Sequence, residues 1–451
     1  MLSASAQIAA FAVGRNKVEF TPSQRHQAYR ALLDTYAVAI AGRNEDAPGV
    51  LRAYLDEVTG IGQATAWDTG RRMPAESAAL LNGTLGHVLD YDDMLEPMVG
   101  HPSVAMIPAL VAVSQVCGAD GRLFSSAYLT GFEVLAKLSN AMAMQHCIKG
   151  WQSTAALAVL GATAACSALL KLDEQQTINA LGLAVTHACG NRENFGTMAK
   201  SLQVGQCNAS AVRAVLLAKR GFVAPEKAID GKYGFTALYG LNEDLGPELA
   251  TLGKGTLEID APGIDIKKYP CCYGNHRTVD AVLALGKEHG LKLQDVASVE
   301  AVVQKRGLQP LTYPRPKTGL EAKFSLEYNI AAPLLDGHLR LRSYDEEAVN
   351  RPAIQEFLPN ITKREAEGEM LPRWTDVKLV LKNGKSVEKH IAISHGDAGD
   401  PLTDAELTEK VEDCFSYAGF AWNAREFSGK VLDMASMKVA DVVSSPLKAA
   451  A

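Results

Sequence analysis

Four short stretches carry most of the residue types that could do chemistry. The first is Gly86-His87-Val88-Leu89-Asp90-Tyr91-Asp92-Asp93, followed by a Pro/Gly loop to His101-Pro102-Ser103. Proline beside a polar residue is a helix-start signal, so this spacing predicts a second helix opening at His101-Pro102-Ser103. Asp90 and His101 would then stand at the facing ends of two helices, an acid and an imidazole able to exchange a proton. The second stretch, Gly196-Thr197-Met198-Ala199-Lys200-Ser201-Leu202-Gln203-Val204-Gly205, places Lys200 just before a helix. The third, Ile266-Lys267-Lys268-Tyr269-Pro270-Cys271-Cys272-Tyr273-Gly274-Asn275-His276, sets two lysines before a Tyr-Pro corner. The fourth contains Tyr313-Pro314-Arg315-Pro316 and then Glu321-Ala322-Lys323-Phe324-Ser325.

Each stretch also has a plain reading. A lone Asp or His at a helix end is commonly a cap. A lysine pair before Tyr-Pro can be a solvated face, and a Cys pair with no sign of a lowered thiol pKa is ordinary buried structure. Three aspartates in four positions suggest a divalent cation, but hard-cation loops alternate acids and carbonyls around a turn glycine. This cluster lacks that pattern, and no metal is expected. Taken jointly the case for a site is stronger, because Lys, His, Asp and Tyr all fall at element ends.

The elements that must hold these residues are mostly helices. Thr21-Pro22-Ser23-Gln24 starts one whose apolar positions Ala28, Leu32, Leu33, Tyr36, Ala37 and Ile40 keep the 3.6-residue period, with Gly42 as its stop. Further helices are expected over Gly49–Val58 and Pro74–Leu89, with 60–73 as a connection. From Val104 to Leu217 the chain reads as almost continuously helical, broken near Gly118, Gly150 and Gly190. Ser153–Leu170 and Gln175–Ala188 are apolar nearly all round, as helices inside a large assembly are.

The character changes near residue 255. Leu257–Ile266 and Ser298–Gln304 read as strands, and Asn383-Gly384 between alternating runs is a strong hairpin signal. Helices are expected at about 276–288 and 325–335. The chain returns to helix after Asp400-Pro401-Leu402-Thr403 and continues so to its Ala-rich end. The expected fold class is therefore mainly α: a large all-helical domain from 1–262 and 399–451, with a smaller α+β domain inserted at 263–398.

Composition narrows the function classes. Of 451 residues, 47% are hydrophobic and 21% charged, and the net charge of −6 is spread through both signs. A well-cored protein without a basic domain lacks the electrostatic footprint of nucleic-acid binding. No uncharged apolar run reaches the roughly 18 residues of a membrane span, and no secretory leader is evident. Eight scattered cysteines without a Cys-x-x-Cys pair fit reduced thiols rather than a disulfide framework. A soluble, cytoplasmic protein is the expectation.

Together the four stretches resemble the MmgE/PrpD family, whose patterns H-x-x-D-Y/F-D-D with H-P-S, G-T-x-x-K, K-x-Y-P with H, and E-x-K/R-F-S recur here in order. The resemblance covers essentially the whole chain. It implies a cofactor-independent enzyme acting on a small polycarboxylate: a 2-methylcitrate dehydratase, a cis-aconitate decarboxylase or an iminodisuccinate epimerase. It further implies a helical domain with an α+β lid, usually dimeric (hence a homodimer here), and an active site between the domains. Carried over by position, the catalytic set is Lys267, His101, Tyr313, Lys200 and Asp90. The substrate-binding set is Lys268, Gln152, Gln203, Cys272 and His276. Lysines and a histidine can clamp carboxylates and stabilise the enediolate formed when an α-proton leaves.

Three departures bear on the reaction. The family's dehydratases and decarboxylases have a histidine after the Gly-Trp/Phe corner, where this chain has Gln152. The family's Lys-x-Leu-His-x-Gly reads Lys200-Ser201-Leu202-Gln203-Val204-Gly205, and animal-type decarboxylases have a histidine at the position of Cys272. An amide cannot carry a proton near neutral pH. Epimerisation needs only two proton-exchanging groups on opposite faces of one carbon. Lys267, its pKa lowered by neighbouring positive charge, and one of Tyr313, His101 or Lys200 could supply them. The expectation is thus an iminodisuccinate-type epimerase, with a dehydratase or decarboxylase as alternative and a non-catalytic ligand sensor as a reading of another class.

Overall fold

The structure is a computed structural model that describes residues 2–14 and 18–443. The chain divides into two compact units, Met1–Asp265 with Asp404–Ala451, and Ile266–Thr403.

The first unit is helical. Its helices span Ala4–Ala12, Pro22–Ala41, Asp46–Val58, Ala75–His87, Ile107–Cys117, Gly121–Ile148, Ala158–Leu169, Glu174–Val185 and Ala199–Lys219, with shorter turns between them. After the excursion into the second unit, Asp404–Tyr417, Ala424–Leu432 and Val439–Val442 complete it. The expected Thr21 start is a full capping box: the Thr21 side chain accepts from Gln24 N–H and the Gln24 side chain accepts from Thr21 N–H. Helix Ala158–Leu169 is buried on almost every side. No described helix is long and apolar enough to cross a membrane.

One crossing positions the site. Helices Ala75–His87 and Ala199–Lys219 approach so closely at Gly83 and Gly205 that a Cβ on Gly205 would lie 2.3 Å from the Leu80 carbonyl oxygen. Only hydrogen fits there. Asn208, next to this crossing, accepts from Ala109 N–H (2.9 Å) and donates to the carbonyls of Val104 (2.8 Å) and Val204 (3.0 Å). Two glycines and one amide thus tie the end of one helix to the starts of two others.

Several sequence expectations need correction. No helix opens at His101-Pro102-Ser103; turns run to Met106, and the helix begins at Ile107 with Pro108 in its first turn. Ser103 is held instead by Asp93, which accepts from both its backbone N–H (3.2 Å) and its hydroxyl. Leu257–Ile266 is not a strand: Leu257 and Glu258 carbonyls close turns onto Asp260, Ala261 and Gly263, and only Asp265 bridges to Met94. The 60–73 connection contains a two-stranded ribbon, Ala64–Thr65 with Arg72–Met73. Lys200 lies within the first turn of its helix rather than before it. The Ala-rich end from 444 lies outside the described residues.

The second unit is α+β. Its four-stranded sheet has the order 361–365, 296–303, 375–381, 386–391, the first pair parallel and the others antiparallel. The hairpin turns at Asn383-Gly384, where Gly384 takes φ +82°. Inward residues Val299, Ala301, Val377 and Leu379 pack with Val279, Val282 and Leu285 of helix His276–His289 and with Ile330 and Leu334 of helix Tyr328–Asp336. The fold class is mainly α with an added α+β unit.

Candidate functional site

Helix Ala75–His87 delivers the first side chain. Its last residue is His87, and three residues on, Asp90 adopts φ +56°, a left-handed conformation that aspartate tolerates. That reversal separates the three aspartates. Asp90 Oδ1 accepts from Lys200 Nζ at 2.6 Å and lies 3.7 Å from His101 Nε2. Asp92 Oδ2 lies 2.9 Å from His87 Nδ1 and 3.1 Å from His101 Nδ1. Asp93 turns to Ser103, whose hydroxyl is 2.6 Å from Tyr128 Oη.

The His101 backbone N–H donates to Thr154 Oγ1 (3.1 Å), so the corner after Trp151 fixes the loop that carries this imidazole. The two imidazole rings meet edge to face at 4.8 Å. Beyond His87, its Nε2 is 3.4 Å from Gln152 Nε2, and Gln152 Oε1 accepts from Gln203 Nε2. Gln203 Oε1 in turn accepts from Asn191 N–H (2.7 Å) and Asn194 Nδ2 (2.8 Å). A line of polar side chains therefore runs from Lys200 through Asp90, His101, Asp92, His87 and Gln152 to Gln203, joined by hydrogen bonds at Lys200–Asp90 and from Asp92 to Gln203, and by ion-pair distances of 3.7 and 3.1 Å on either side of His101.

Exposure divides this line into an open end and a sealed end. The side chains of Lys200, Asp90 and His101 are 16%, 12% and 11% exposed, whereas those of His87 and Asp92 are fully buried. Burial pushes His87 down to about 4, helped by the charge of Lys200 and opposed by Asp92. His87 is therefore neutral at neutral pH. Burial alone would raise Asp92, but the two imidazoles facing it hold it well below the usual carboxylate range. Asp93, buried and near Asp34, is pushed well above it. Adjacent aspartates are thus shifted in opposite directions, Asp92 down and Asp93 up.

His87, Asp92 and His101 are also the one His/Cys/Asp/Glu group among the described residues close enough to share a cation, their ligating atoms lying within 4.8 Å of one another. The arrangement does not fit that use. The Asp92 oxygen facing the rings is already engaged by His87 Nδ1 at 2.9 Å, and His101 Nδ1 lies 3.1 Å from the same oxygen, too close for a cation between them.

The helical unit brings together five residues singled out from the sequence: Asp90, His101, Lys200, Gln152 and Gln203. The α+β unit carries the other five. Lys267 is 1% exposed at the start of that unit, and Lys268 Nζ lies 5.7 Å from the Tyr269 ring centre. Cys272 N–H donates to the Lys323 carbonyl (3.1 Å) and Tyr313 N–H to the Phe324 carbonyl (3.4 Å), so the third and fourth stretches lie side by side. His276 is buried against the rings of Tyr269 and Tyr273, and Tyr313 is 42% exposed. Sequence reasoning quoted His87 within its motif but gave it no role. The signal was its place in the last turn of a helix, five residues before Asp92.

Residues 6–248 match the family model described as the MmgE/PrpD N-terminal domain, and residues 269–428 that of the MmgE/PrpD C-terminal domain. The chain is 27% identical over 397 residues to a Homo sapiens protein named cis-aconitate decarboxylase, covering 84% of this chain and 81% of that one. It is 28% identical over 400 residues to the Mus musculus protein of the same name, covering 84% and 80%. An Aspergillus oryzae protein named cis-aconitate decarboxylase-like protein oryM is 26% identical over 411 residues, covering 85% and 84%.

Proposed function

We propose, from the premise that this chain belongs to the MmgE/PrpD family, that it is a lyase acting on a small polycarboxylate, of the cis-aconitate decarboxylase kind. The observation that carries the reading is His101. Its Nδ1 lies 3.1 Å from Asp92 Oδ2, while its Nε2 side stays partly open beside the Lys200–Asp90 pair. In such a decarboxylation the C–COO⁻ bond breaks and carbon dioxide leaves. The electron pair spreads onto a neighbouring carboxylate as an enediolate, and a proton must then be delivered to carbon. Lys200 supplies the cation that favours the enediolate, and His101 Nε2–H supplies the proton. Asp92 balances the charge of the imidazolium, as the buried acid does in a catalytic triad.

The epimerase expectation rested on lost imidazoles at Gln152 and Gln203 and on Cys272. Two imidazoles nevertheless remain in contact around Asp92, so proton handling is retained. The names of the relatives also favour a lyase. The test is to incubate purified protein with cis-aconitate and with 2-methylcitrate, following product by proton NMR and trapping carbon dioxide. Release of carbon dioxide or water, abolished by Lys200→Ala, is expected. Deuterium entering single stereoisomers of iminodisuccinate in heavy water, with neither release, would overturn the lyase reading in favour of epimerisation.

A further inference from the structure

We propose that Gln203 and Gln152 form a one-directional hydrogen-bond relay that fixes the proton of His87 on Nδ1 and, through Asp92, that of His101 on Nδ1. On this account both amides are positioning residues rather than substrate contacts.

The direction follows from one obligate donor. The backbone N–H of Asn191 can only donate, and it lies 2.7 Å from Gln203 Oε1. That fixes which end of the Gln203 amide is oxygen, an assignment otherwise ambiguous for glutamine. Gln203 Nε2 must then donate, and it does so to Gln152 Oε1 and to the Asn191 carbonyl at 3.2 Å. With Asn194 Nδ2 as second donor to Oε1, both lone pairs and both hydrogens of the Gln203 amide are engaged. Nothing on it remains for a substrate carboxylate.

Gln152 is oriented in turn. Its oxygen faces Gln203, so its Nε2 faces His87 Nε2 at 3.4 Å. An amide nitrogen offers no lone pair, so the His87 Nε2 must accept and its proton sits on Nδ1, 2.9 Å from Asp92 Oδ2. The same Asp92 oxygen faces His101 Nδ1. His101 therefore presents Nε2 as its proton-exchanging atom toward the open end. The charged and titratable groups facing His87 include Asp92, Lys200 and His101, and those facing His101 include Asp90, Asp92 and His87, with Lys200 acting through Asp90. The burial that keeps His87 neutral agrees with an acceptor at its Nε2. A histidine at 203 has one donor and one acceptor, and could not make the three bonds that hold the 191–194 turn together with the one to Gln152.

The catalytic meaning of this relay rests on the proposed function, but its direction does not, and the experiment separates them. In full-length protein with ¹⁵N-labelled histidine, long-range ¹H–¹⁵N correlation assigns His87 by its disappearance in His87→Gln. The expected result is a neutral ring protonated at Nδ1. A ring protonated at Nε2, or an imidazolium at pH 7, would overturn the relay whether or not the protein turns over any polycarboxylate. Gln152→Glu, which places a carboxylate at Nε2, is expected to move the His87 proton to Nε2 or to charge the ring. In turnover assays Gln203→Glu still accepts from Asn191 but cannot donate to Gln152. It should lower kcat about tenfold or more and shift the acidic limb of its pH profile, with KM changed less than about twofold. A raised KM at unchanged kcat would make Gln203 a substrate contact and defeat the proposal. Circular dichroism of each variant identifies any that fails to fold, and the NMR of Gln152→Glu then decides alone.

Discussion

Replacing Lys410 by methionine keeps its aliphatic stem and removes its ammonium from beneath the Asp90–Asp93 segment. Lys410 comes from helix Asp404–Tyr417, and its Nζ lies 2.6 Å from Asp34 Oδ1 and 2.9 Å from the Tyr91 carbonyl. It also sits 3.9 Å from the centre of the Tyr91 ring. Its side chain is 3% exposed and that of Asp34 is fully buried, so the variant leaves a carboxylate in the interior without its nearest cation. Breaking a buried pair at one partner costs about 3–5 kcal/mol. A second route caps the cost: Asp34 can bind a proton. Burial raises Asp34 from its ordinary value of 3.8, so protonation costs less than about 4 kcal/mol at pH 7 and less than about 1.6 at pH 5. The loss should therefore be at most about 4 kcal/mol at pH 7, a large part of a typical domain's stability, and under about 2 at pH 5. Lys410→Met with Asp34→Asn should recover most of it.

Urea denaturation at both pH values, read by tryptophan fluorescence, measures this, because Trp67, Trp151 and Trp422 belong to the helical unit. A loss below about 1 kcal/mol at pH 7, or the same loss at both pH values, would refute the reasoning.

Three other outcomes follow from the same geometry. His146 is buried beside Trp151 and Tyr239 and pushed down to about 4, so between pH 6.5 and 4 the unfolded chain binds the extra proton. Stability should fall by about 3 kcal/mol as pH drops through that window, and His146→Gln should remove that part of the slope in denaturation curves. Burial disfavours the charge of Asp93, so Asp93→Asn, which removes that charge, should cost less than about 1 kcal/mol at pH 7. Asp92→Asn at the next position removes the charge behind His101 and should lower kcat at least about 100-fold. Comparing the two variants in the same melting and turnover assays checks the opposite shifts of these neighbours. Gly205→Val would drive a side chain into the Leu80 carbonyl and should cost about 3 kcal/mol or more while weakening the Lys200–Asp90 contact. The checks are a lower urea midpoint and a fall in activity larger than the unfolded fraction explains.

The sequence by itself determined whatever is written locally. Thr21 and Gln24 cap each other within one turn, and Asn383-Gly384 reverses a hairpin because glycine accepts positive φ. The apolar period marked the helices, and the change of pattern near 255 separated the helical unit from the α+β unit. The same local rules misread two segments. Pro102 beside His101 and Ser103 reads as a helix start, but Ser103 is engaged by Asp93, ten residues back in sequence, and the helix waits for Pro108. The β-branched residues near Leu257 never find a strand partner, and their backbone closes turns instead.

Tertiary structure alone decided how the chemical groups pair. Asp90, Asp92 and Asp93 are nearly equivalent in sequence, yet one faces a lysine, one faces two imidazoles and one faces a serine. The left-handed turn at Asp90 and the Gly83–Gly205 crossing produce that separation. Charge state follows from it, because burial and the nearest partner set a carboxyl's affinity for its proton, and neither can be read from its neighbours along the chain.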